Sequence, residues 1–335
     1  MPPKISVILP FFNSRERLGA AILSILNQSF EDFELLLINN NADEITHKIA
    51  FEFSSLDSRV HVIEEGAKNR VHAYNVGIEY SDSDYVAIMN EYDLAYPNRF
   101  EIQYNYLSNY AETDLVGCLI KPMEIDDYLS SSEHVLHYIN WINRIISHED
   151  ILANRFIEMP IVPQTMLFRK KLADFSVFLS NIDCGGEYEF LLYLLQQGIK
   201  TYKIPEHLME WSYTFERICP VSDKAFEQGL FETKSRYLFD WLKENNPHFP
   251  EIVVWGAGAK SRLRYLILHE LGINAHFFID KHPNATKNVI QYQETPAPGN
   301  HFIVCYIQNR ISRENIRVFL IELGYVEGKD FICAC

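Results

Sequence analysis

The sequence predicts an α/β protein: a mainly parallel, Rossmann-like sheet domain followed by a smaller Rossmann-like unit. Three observations predict it. Strand-like and helix-like segments alternate from Ile5 to about Trp211, the pattern that builds a parallel sheet covered on both faces. Asn245-Asn-Pro-His-Phe-Pro250 then breaks the chain. A second alternation begins at Ile252-Val-Val-Trp-Gly-Ala-Gly-Ala-Lys260. The expected organisation is a first domain over 1–215, a helical connector and linker over 216–250, and a small unit over 251–335.

The elements follow in order. Ile5–Leu9 is an apolar, β-branched run and reads as a buried strand. Arg15–Asn27 sets Leu18, Ile22, Ile25 and Leu26 at helical spacing. Leu35–Ile38, Val60–Ile63 and Val86–Met89 are the next buried runs. Residues from about Pro220 to Glu244 read as a helix packing through Phe226, Phe231, Tyr237, Leu238 and Trp241. After the break come a strand ending at Trp255, a helix, a strand over His276–Ile279, a third over Phe302–Ile307, and a helix over Arg313–Leu323.

The 335 residues are long for one core and natural for two. Hydrophobic content of 47% and charged content of 22% are those of an ordinary globular protein. A formal net charge of −15 argues against a nucleic-acid partner, which requires a basic face. It leaves room for a local basic pocket that takes a phosphorylated ligand. No apolar run reaches the roughly 18–20 residues of a transmembrane helix, and the opening residues lack signal-peptide architecture. The six cysteines (Cys118, Cys184, Cys219, Cys305, Cys333, Cys335) show no metal spacing and read as reduced thiols. The expected location is cytoplasmic, peripheral to a membrane where the acceptor demands it.

The most informative stretch is Tyr85-Val-Ala-Ile-Met-Asn-Glu-Tyr-Asp-Leu-Ala-Tyr-Pro-Asn-Arg-Phe-Glu-Ile-Gln103. A buried strand ends there in a small acidic cluster and then a proline. Strand ends that deliver carboxylates to one point are where α/β enzymes hold metals and phosphates.

That stretch resembles the signature of the family 2 glycosyltransferases, in which the strand ends Asp-x-Asp-Asp before a Pro-x-Arg-Leu-Glu-x-Gln helix start. Here the tetrad is Asn90-Glu91-Tyr92-Asp93. Further segments resemble the family in the same order: Ser6-Val-Ile-Leu-Pro-Phe-Phe-Asn13, Gln28-Ser-Phe-Glu-Asp-Phe-Glu34, Asn39-Asn-Asn-Ala-Asp-Glu-Ile-Thr46, Asp57-Ser-Arg-Val60 and His72-Ala-Tyr-Asn-Val-Gly77. The resemblance covers roughly residues 4–215 and implies a GT-A fold that binds a nucleoside-diphosphate sugar.

It also implies a site. Pro10, Phe11, Phe12 and Asn13, read as the loop after the first strand, would supply a slot wall and a polar anchor. Asn39 stands where the family has an Asp that reads the uracil edge, and an amide both donates and accepts. Arg70 or Lys68 and Asn75 are candidates for the nucleotide and diphosphate; Asn75 bracing a helix and Lys68 as a surface charge are the structural alternatives. In the family the tetrad's carboxylates ligate Mg²⁺ or Mn²⁺, which neutralises the leaving group. With Asn90 and Tyr92 in place of two acids, three readings stand: a metal held by Asp93 and Glu91, a metal-free site using Lys or Arg, or lost catalysis.

The family's catalytic Asp corresponds to Glu187, in Cys184-Gly-Gly-Glu-Tyr-Glu-Phe-Leu-Leu-Tyr193. Glu187 would act as general base on the acceptor hydroxyl; the alternative is that Glu187 and Glu189 only favour a helix N-terminus. Gly186 and Tyr193 depart from the family's Glu and Arg. Residues 141–169 also resemble part of the family and would lie over the acceptor side, with Arg155, Glu158 and Arg169 as acceptor contacts or structural ion pairs. His207 is a late metal ligand or a structural histidine. No Gln-x-x-Arg-Trp motif is present, so a processive polysaccharide synthase is not expected.

In the last unit Gly256 and Gly258 after a strand, with Asp280 closing the next, match the start of a dinucleotide-binding unit. Ser261 replaces the third glycine. The remaining residues are too few for a complete dehydrogenase, so NAD is not expected. The open readings are a nucleotide site or a packing module. The expected function is therefore an inverting glycosyltransferase that moves a sugar, UDP-linked by preference, to a glycan or lipid-linked hydroxyl. Its competitors are a catalytically eroded nucleotide-sugar-binding or scaffold protein and an NAD-dependent sugar-modifying enzyme.

Overall fold

The computed structural model describes residues 2–64, 69–123, 133–174, 185–212, 224–282 and 288–335. They form two compact units. The first comprises Met1–Ile151 and Pro160–Phe226, the second Leu152–Met159 and Glu227–Cys335.

The first part of the chain contains, in order, β1 (Ile5–Phe11), α1 (Leu18–Leu26), β2 (Phe33–Asn39), α2 (Glu44–Leu56), β3 (Val60–Ile63), α3 (Arg70–Tyr80), β4 (Tyr85–Ile88) and β5 (Leu94–Ala95). Then come α4 (Arg99–Asn109), β6 (Leu115–Pro122), α5 (Glu133–Ile142), α6 (His148–Asn154), β7 (Leu167–Arg169), α7 (Gly186–Gln196) and β8 (Thr201–Trp211). The eight strands make one sheet in the order β3-β2-β1-β4-β7-β6-β8-β5. β3, β2, β1 and β4 run parallel, as the alternation predicts. β7 and β5 run antiparallel to their neighbours, which the apolar pattern does not reveal because both are two or three residues long.

All seven residues of β1 are buried, which is why it reads as a continuous apolar run. It reaches Phe11, two residues past its expected end. Pro10 and Phe11 are therefore strand residues, not loop residues, and Phe11 packs into the core. Pro10 is tolerated inside this central strand because of where the pairing stops. β1 and β4 pair from Ile5↔Tyr85 to Ile8↔Ile88. The Ile8 carbonyl accepts from Met89 at 3.0 Å, and even-numbered groups of β1 face that side. The missing N–H of Pro10 thus falls beyond the paired region.

The second unit has α8 (Lys224–Asn245), β9 (Glu251–Trp255), α9 (Ala259–Glu270), β10 (Asn274–Asp280), β11 (Val289–Gln291), β12 (Ile303–Cys305), α10 (Arg310–Glu322) and β13 (Phe331–Cys333). Its five strands are parallel, in the order β11-β10-β9-β12-β13. Two boundaries differ from expectation. α8 was expected as a connector, yet from Glu227 onward it belongs to the second unit, burying Leu238 and Leu242. Leu152–Met159 also belongs there: the Arg155 guanidinium lies over the rings of Phe156 (4.6 Å) and Trp241 (5.0 Å).

Lys203 of β8 is buried and donates to Ile142 O at 2.6 Å. Burial pushes its ammonium down to about 7, against the smaller opposing pull of Cys118 and Asp150. Above that value the unfolded chain binds a proton that the folded chain has released. Stability against urea should therefore rise between about pH 7 and pH 9, by at most about 1.4 kcal/mol per pH unit. Lys203→Met should flatten that rise, as read from urea melts across the range.

Candidate functional site

In the first sheet β2 lies on one side of β1 and β4 on the other. Connections leave the two strands in opposite directions, and this switch point opens a crevice at the carboxyl ends. The segments that end there are Phe12 and Asn13 after β1, Asn39 closing β2, Asn90–Asp93 after β4, and the first turn of α3.

The β1 loop is held from below by the tetrad. Glu91 Oε2 accepts from Phe12 N at 2.7 Å and from the Ser14 hydroxyl. Phe12 itself is 47% exposed. Asn13 Oδ1 accepts from Asp43 N at 2.9 Å, and Asp43 caps α2 by accepting from Thr46 N at 2.8 Å. Backbone and side-chain bonds hold the Asp43 carboxyl below the usual carboxylate range. Asn39 Oδ1 accepts from Ala42 N at 2.9 Å, and its Nδ2 donates to Glu64 Oε2 at 2.8 Å. Glu64 also meets His47 Nε2 at 2.6 Å. Glu64 and His47 are exposed or half-exposed polar neighbours of Asn39 that the motif reading missed; neither belongs to a matched motif.

The other tetrad members turn inward. Asn90 Oδ1 accepts from the amides of Tyr92 and Asp93, both at 3.0 Å, a tight Asx-type turn. Asp93 Oδ1 accepts from Ser212 N at 2.7 Å. Glu91 is 6% exposed and Asp93 0%, whereas Asn90 and Tyr92 are half-buried. The two acids are thus inside and the two members that reach solvent carry no charge. Among the described residues no three His, Cys, Asp or Glu side chains are grouped to hold a metal. The tetrad as folded does not fit Mg²⁺ or Mn²⁺, which require several hard oxygen ligands with room for water.

The helix start after the tetrad supports it from behind. Arg99 is fully buried, donating to Gln103 Oε1 at 3.1 Å and to Ile88 O at 3.3 Å. Gln103 Nε2 donates to Thr165 O at 2.8 Å. Burial lowers the Arg99 pKa, against the charges of Cys118 and Asp93. The arginine and glutamine of the matched helix motif therefore fix the end of β4.

The structure brings two expected site residues into direct contact. Arg70 Nε, in the first turn of α3, donates to Glu187 Oε1 of α7 at 2.9 Å; the side chains are 28% and 3% exposed. Tyr74, one turn along α3, is buried beside them and donates to Met89 O at 3.4 Å. Burial raises its hydroxyl pKa, and the charges of Arg70, Glu187 and Asp93 all reach it. Glu189 is also buried, so neither acid is a solvated helix-start charge. The contact depends on Gly186: a Cβ there would lie 2.8 and 2.9 Å from the γ carbons of Val71. Asn75 lies half-buried in the second turn of α3. Lys68 lies outside the described residues.

The residues read as acceptor contacts or structural ion pairs each have partners within the chain. Arg169 donates to Tyr85 Oη at 2.9 Å and Leu107 O at 2.6 Å. Arg155 donates to Leu152 O at 2.7 Å, and Glu158 pairs with Arg310 at 2.7 Å. His207 is exposed on β8; partial burial and the nearby Lys121 lower its pKa. In the second unit Gly256 turns the chain after β9 at φ +116°. The expected ribose ligand Asp280 accepts from Ala257 N at 2.7 Å and His282 N at 3.2 Å. Ser261, at the third-glycine position, donates to Tyr306 O at 3.1 Å and packs on Gly256. Gly258 precedes α9 as its N-cap. In this arrangement the loop amide at Ala257 already has an anionic partner from its own chain.

The model of Glycosyl transferase family 2 matches residues 6–175. The chain belongs to that family. This family 2 chain is 26% identical over 249 residues to the O-antigen biosynthesis glycosyltransferase WbnJ of Escherichia coli, covering 72% of this chain and 89% of that one. It is 27% identical over 169 residues to an uncharacterized glycosyltransferase of Haemophilus influenzae, and the match spans 52% of that relative's length. The structure of S. aureus TarS 1–349 in complex with UDP-GlcNAc is similar at a TM-score of 0.55 and 12% identity, covering 80% of this chain and 71% of that one. That likeness shows the GT-A fold.

Gly186→Ala should destabilise the first unit by about 1–3 kcal/mol, because Val71 is β-branched and stiff against its helix. Adding Val71→Ala should recover part of the loss. Urea melts of the single and double variants read both effects.

Proposed function

We propose that this family 2 chain is an inverting glycosyltransferase that moves a sugar from a nucleoside-diphosphate sugar, UDP-linked by preference, to a hydroxyl acceptor. Glu187 takes the acceptor proton. The acceptor oxygen bonds to the anomeric carbon from the face opposite the diphosphate, the sugar–phosphate bond breaks with its electrons going to the leaving oxygen, and the nucleoside diphosphate departs. The observation that carries this reading is the meeting of Arg70 and Glu187 beside the β1–β4 crevice: it gives one site a carboxylate base and a cation for a diphosphate. The loop after β1 is braced to serve as a slot wall through Phe12, with Asn13, Asn39 and Asn75 as polar neighbours of the donor.

The relationship to an O-antigen biosynthesis enzyme supports a cell-surface glycan or its lipid-linked precursor as the acceptor class. Among the described residues no helix is long and apolar enough to cross a membrane, so a lipid-linked acceptor would be met at the membrane surface. The burial of both tetrad acids favours a second reading, a nucleotide-sugar-binding protein without transfer activity.

Glu187→Gln separates the two. With a panel of UDP- and GDP-sugars and lipid-linked acceptors, transfer by the wild type should fall by about 10²–10⁴-fold in the variant, while UDP binding survives. Binding by the wild type without transfer to any acceptor would leave the binding-protein reading in its place.

A further inference from the structure

We infer that this protein binds its donor without a divalent cation, and that Arg70 supplies the neutralising charge by leaving Glu187 for the donor diphosphate. The inference rests on the glycosyltransferase reading above and specifies how its site works.

The first argument is the tetrad. Its two acids are enclosed, Glu91 at 6% and Asp93 at 0% exposure. Glu91 carries the β1 loop through Phe12 N and Ser14, and Asp93 carries Ser212 N. A metal drawing on Glu91 Oε2 or Asp93 Oδ1 would take that oxygen from the amide of Phe12 or Ser212, and an amide so buried without its partner costs about 1–3 kcal/mol. The half-exposed members, Asn90 and Tyr92, offer neutral oxygens, and Asn90 Oδ1 already accepts two amides. Among the described residues a diphosphate arriving at this crevice therefore meets no group of three acids or histidines that would bring a cation with it.

The second argument is the position of Arg70. Arg70 stands in the first turn of α3, where the helix dipole also favours an anion. Its side chain is 28% exposed while its partner, Glu187, is 3% exposed. The half of the pair that solvent and ligand can reach is the cation. A planar guanidinium pairs with phosphate oxygens as well as with a carboxylate.

The third argument is what Glu187 needs. A general base must come within hydrogen-bond reach of the acceptor hydroxyl. At 3% exposure, with Arg70 on Oε1, the carboxylate is covered. Transfer of Arg70 to the diphosphate removes that cover at the moment the donor is in place. Donor binding thus prepares the base, and the order is donor first, acceptor second. The exchange also gives an energetic coupling: donor and Glu187 compete for one guanidinium, so removing the carboxylate's charge should strengthen donor binding.

The test uses the full chain and calorimetric binding of UDP and GDP, in buffer with EDTA and in buffer with Mn²⁺, on wild type, Arg70→Lys, Arg70→Gln and Glu187→Gln. Circular dichroism melts establish that each variant is folded. Wild-type affinity in EDTA should lie within about twofold of that in Mn²⁺, since the described tetrad acids already hold Phe12 N and Ser212 N. Arg70→Gln should weaken binding by about 10–100-fold, the worth of a charge-assisted hydrogen bond, and Arg70→Lys by less. Glu187→Gln should tighten it several-fold, an effect that a purely structural ion pair would not give. Binding that requires Mn²⁺ overturns the inference while leaving the glycosyltransferase reading intact. So does a folded Arg70→Gln protein with wild-type affinity, or a Glu187→Gln protein that binds no more tightly. Absence of UDP and GDP binding in every buffer overturns the glycosyltransferase reading itself.

Discussion

The buried carboxylate of Glu91 is the constraint on which the crevice depends. β1 and β4 pair only as far as Ile8 and Ile88, and beyond that point no ladder joins these two strands, although β1 stays paired with β2 to Phe11. Glu91 replaces the ladder with two side-chain bonds, to Phe12 N and Ser14. The loop after β1 is thereby fixed, with Phe12 exposed at its tip. The charge of Glu91 is an internal clasp. Arg99 and Gln103 complete the frame from the other side, bonding Ile88 O and Thr165 O.

Burial of the acids moves the electrostatics of the site to α3 and α7. The two helix starts approach because residue 186 has no side chain to collide with Val71. Glu187 is then carried to Arg70 at 2.9 Å. An enclosed carboxylate without a cation would be costly, and the ion pair meets that requirement when no ligand is present. The change from the family's Glu to Gly186 and the change from Asp-x-Asp to Asn90-Glu91-Tyr92 are in this sense complementary. One withdraws negative charge from the crevice floor, and the other draws the remaining base and cation together at its wall.

The second unit shows what the short glycine motif builds in this chain. Gly256 and Gly258 do make the tight turn after β9 that the pattern promises. Yet Ser261 fills the space against Gly256, and Asp280 bonds the loop amide at Ala257. Among the described residues the unit has a five-stranded parallel sheet, two strands more than the sequence reading gives. Val289–Gln291 and Phe331–Cys333 are three-residue strands, too short to register as periodic runs. The segment Leu152–Met159 joins this unit although it lies far away in the chain, a tertiary choice made by Phe156 and Arg155 against Trp241.

The sequence by itself determined the fold class, the mainly parallel pairing of its first strands and the placing of the site at their carboxyl ends. Each follows from local information: apolar runs with buried period, helical spacing between them, and ordered motifs at strand ends. It also named Asn39, Asp93 and Glu187 from matched motif positions, Glu91 from the acidic cluster at the strand end, and Arg70, beside Lys68, as a basic candidate for the diphosphate. Only the tertiary structure decided what those residues do to one another. Which way a carboxylate turns at a strand end depends on whether a backbone amide or solvent lies there, and that is settled by neighbours far away in the chain: Phe12 for Glu91, Ser212 for Asp93, Arg70 for Glu187. Those separations, 79, 119 and 117 residues, lie beyond the reach of any local pattern, so side-chain identity was legible in the sequence and side-chain pairing was not.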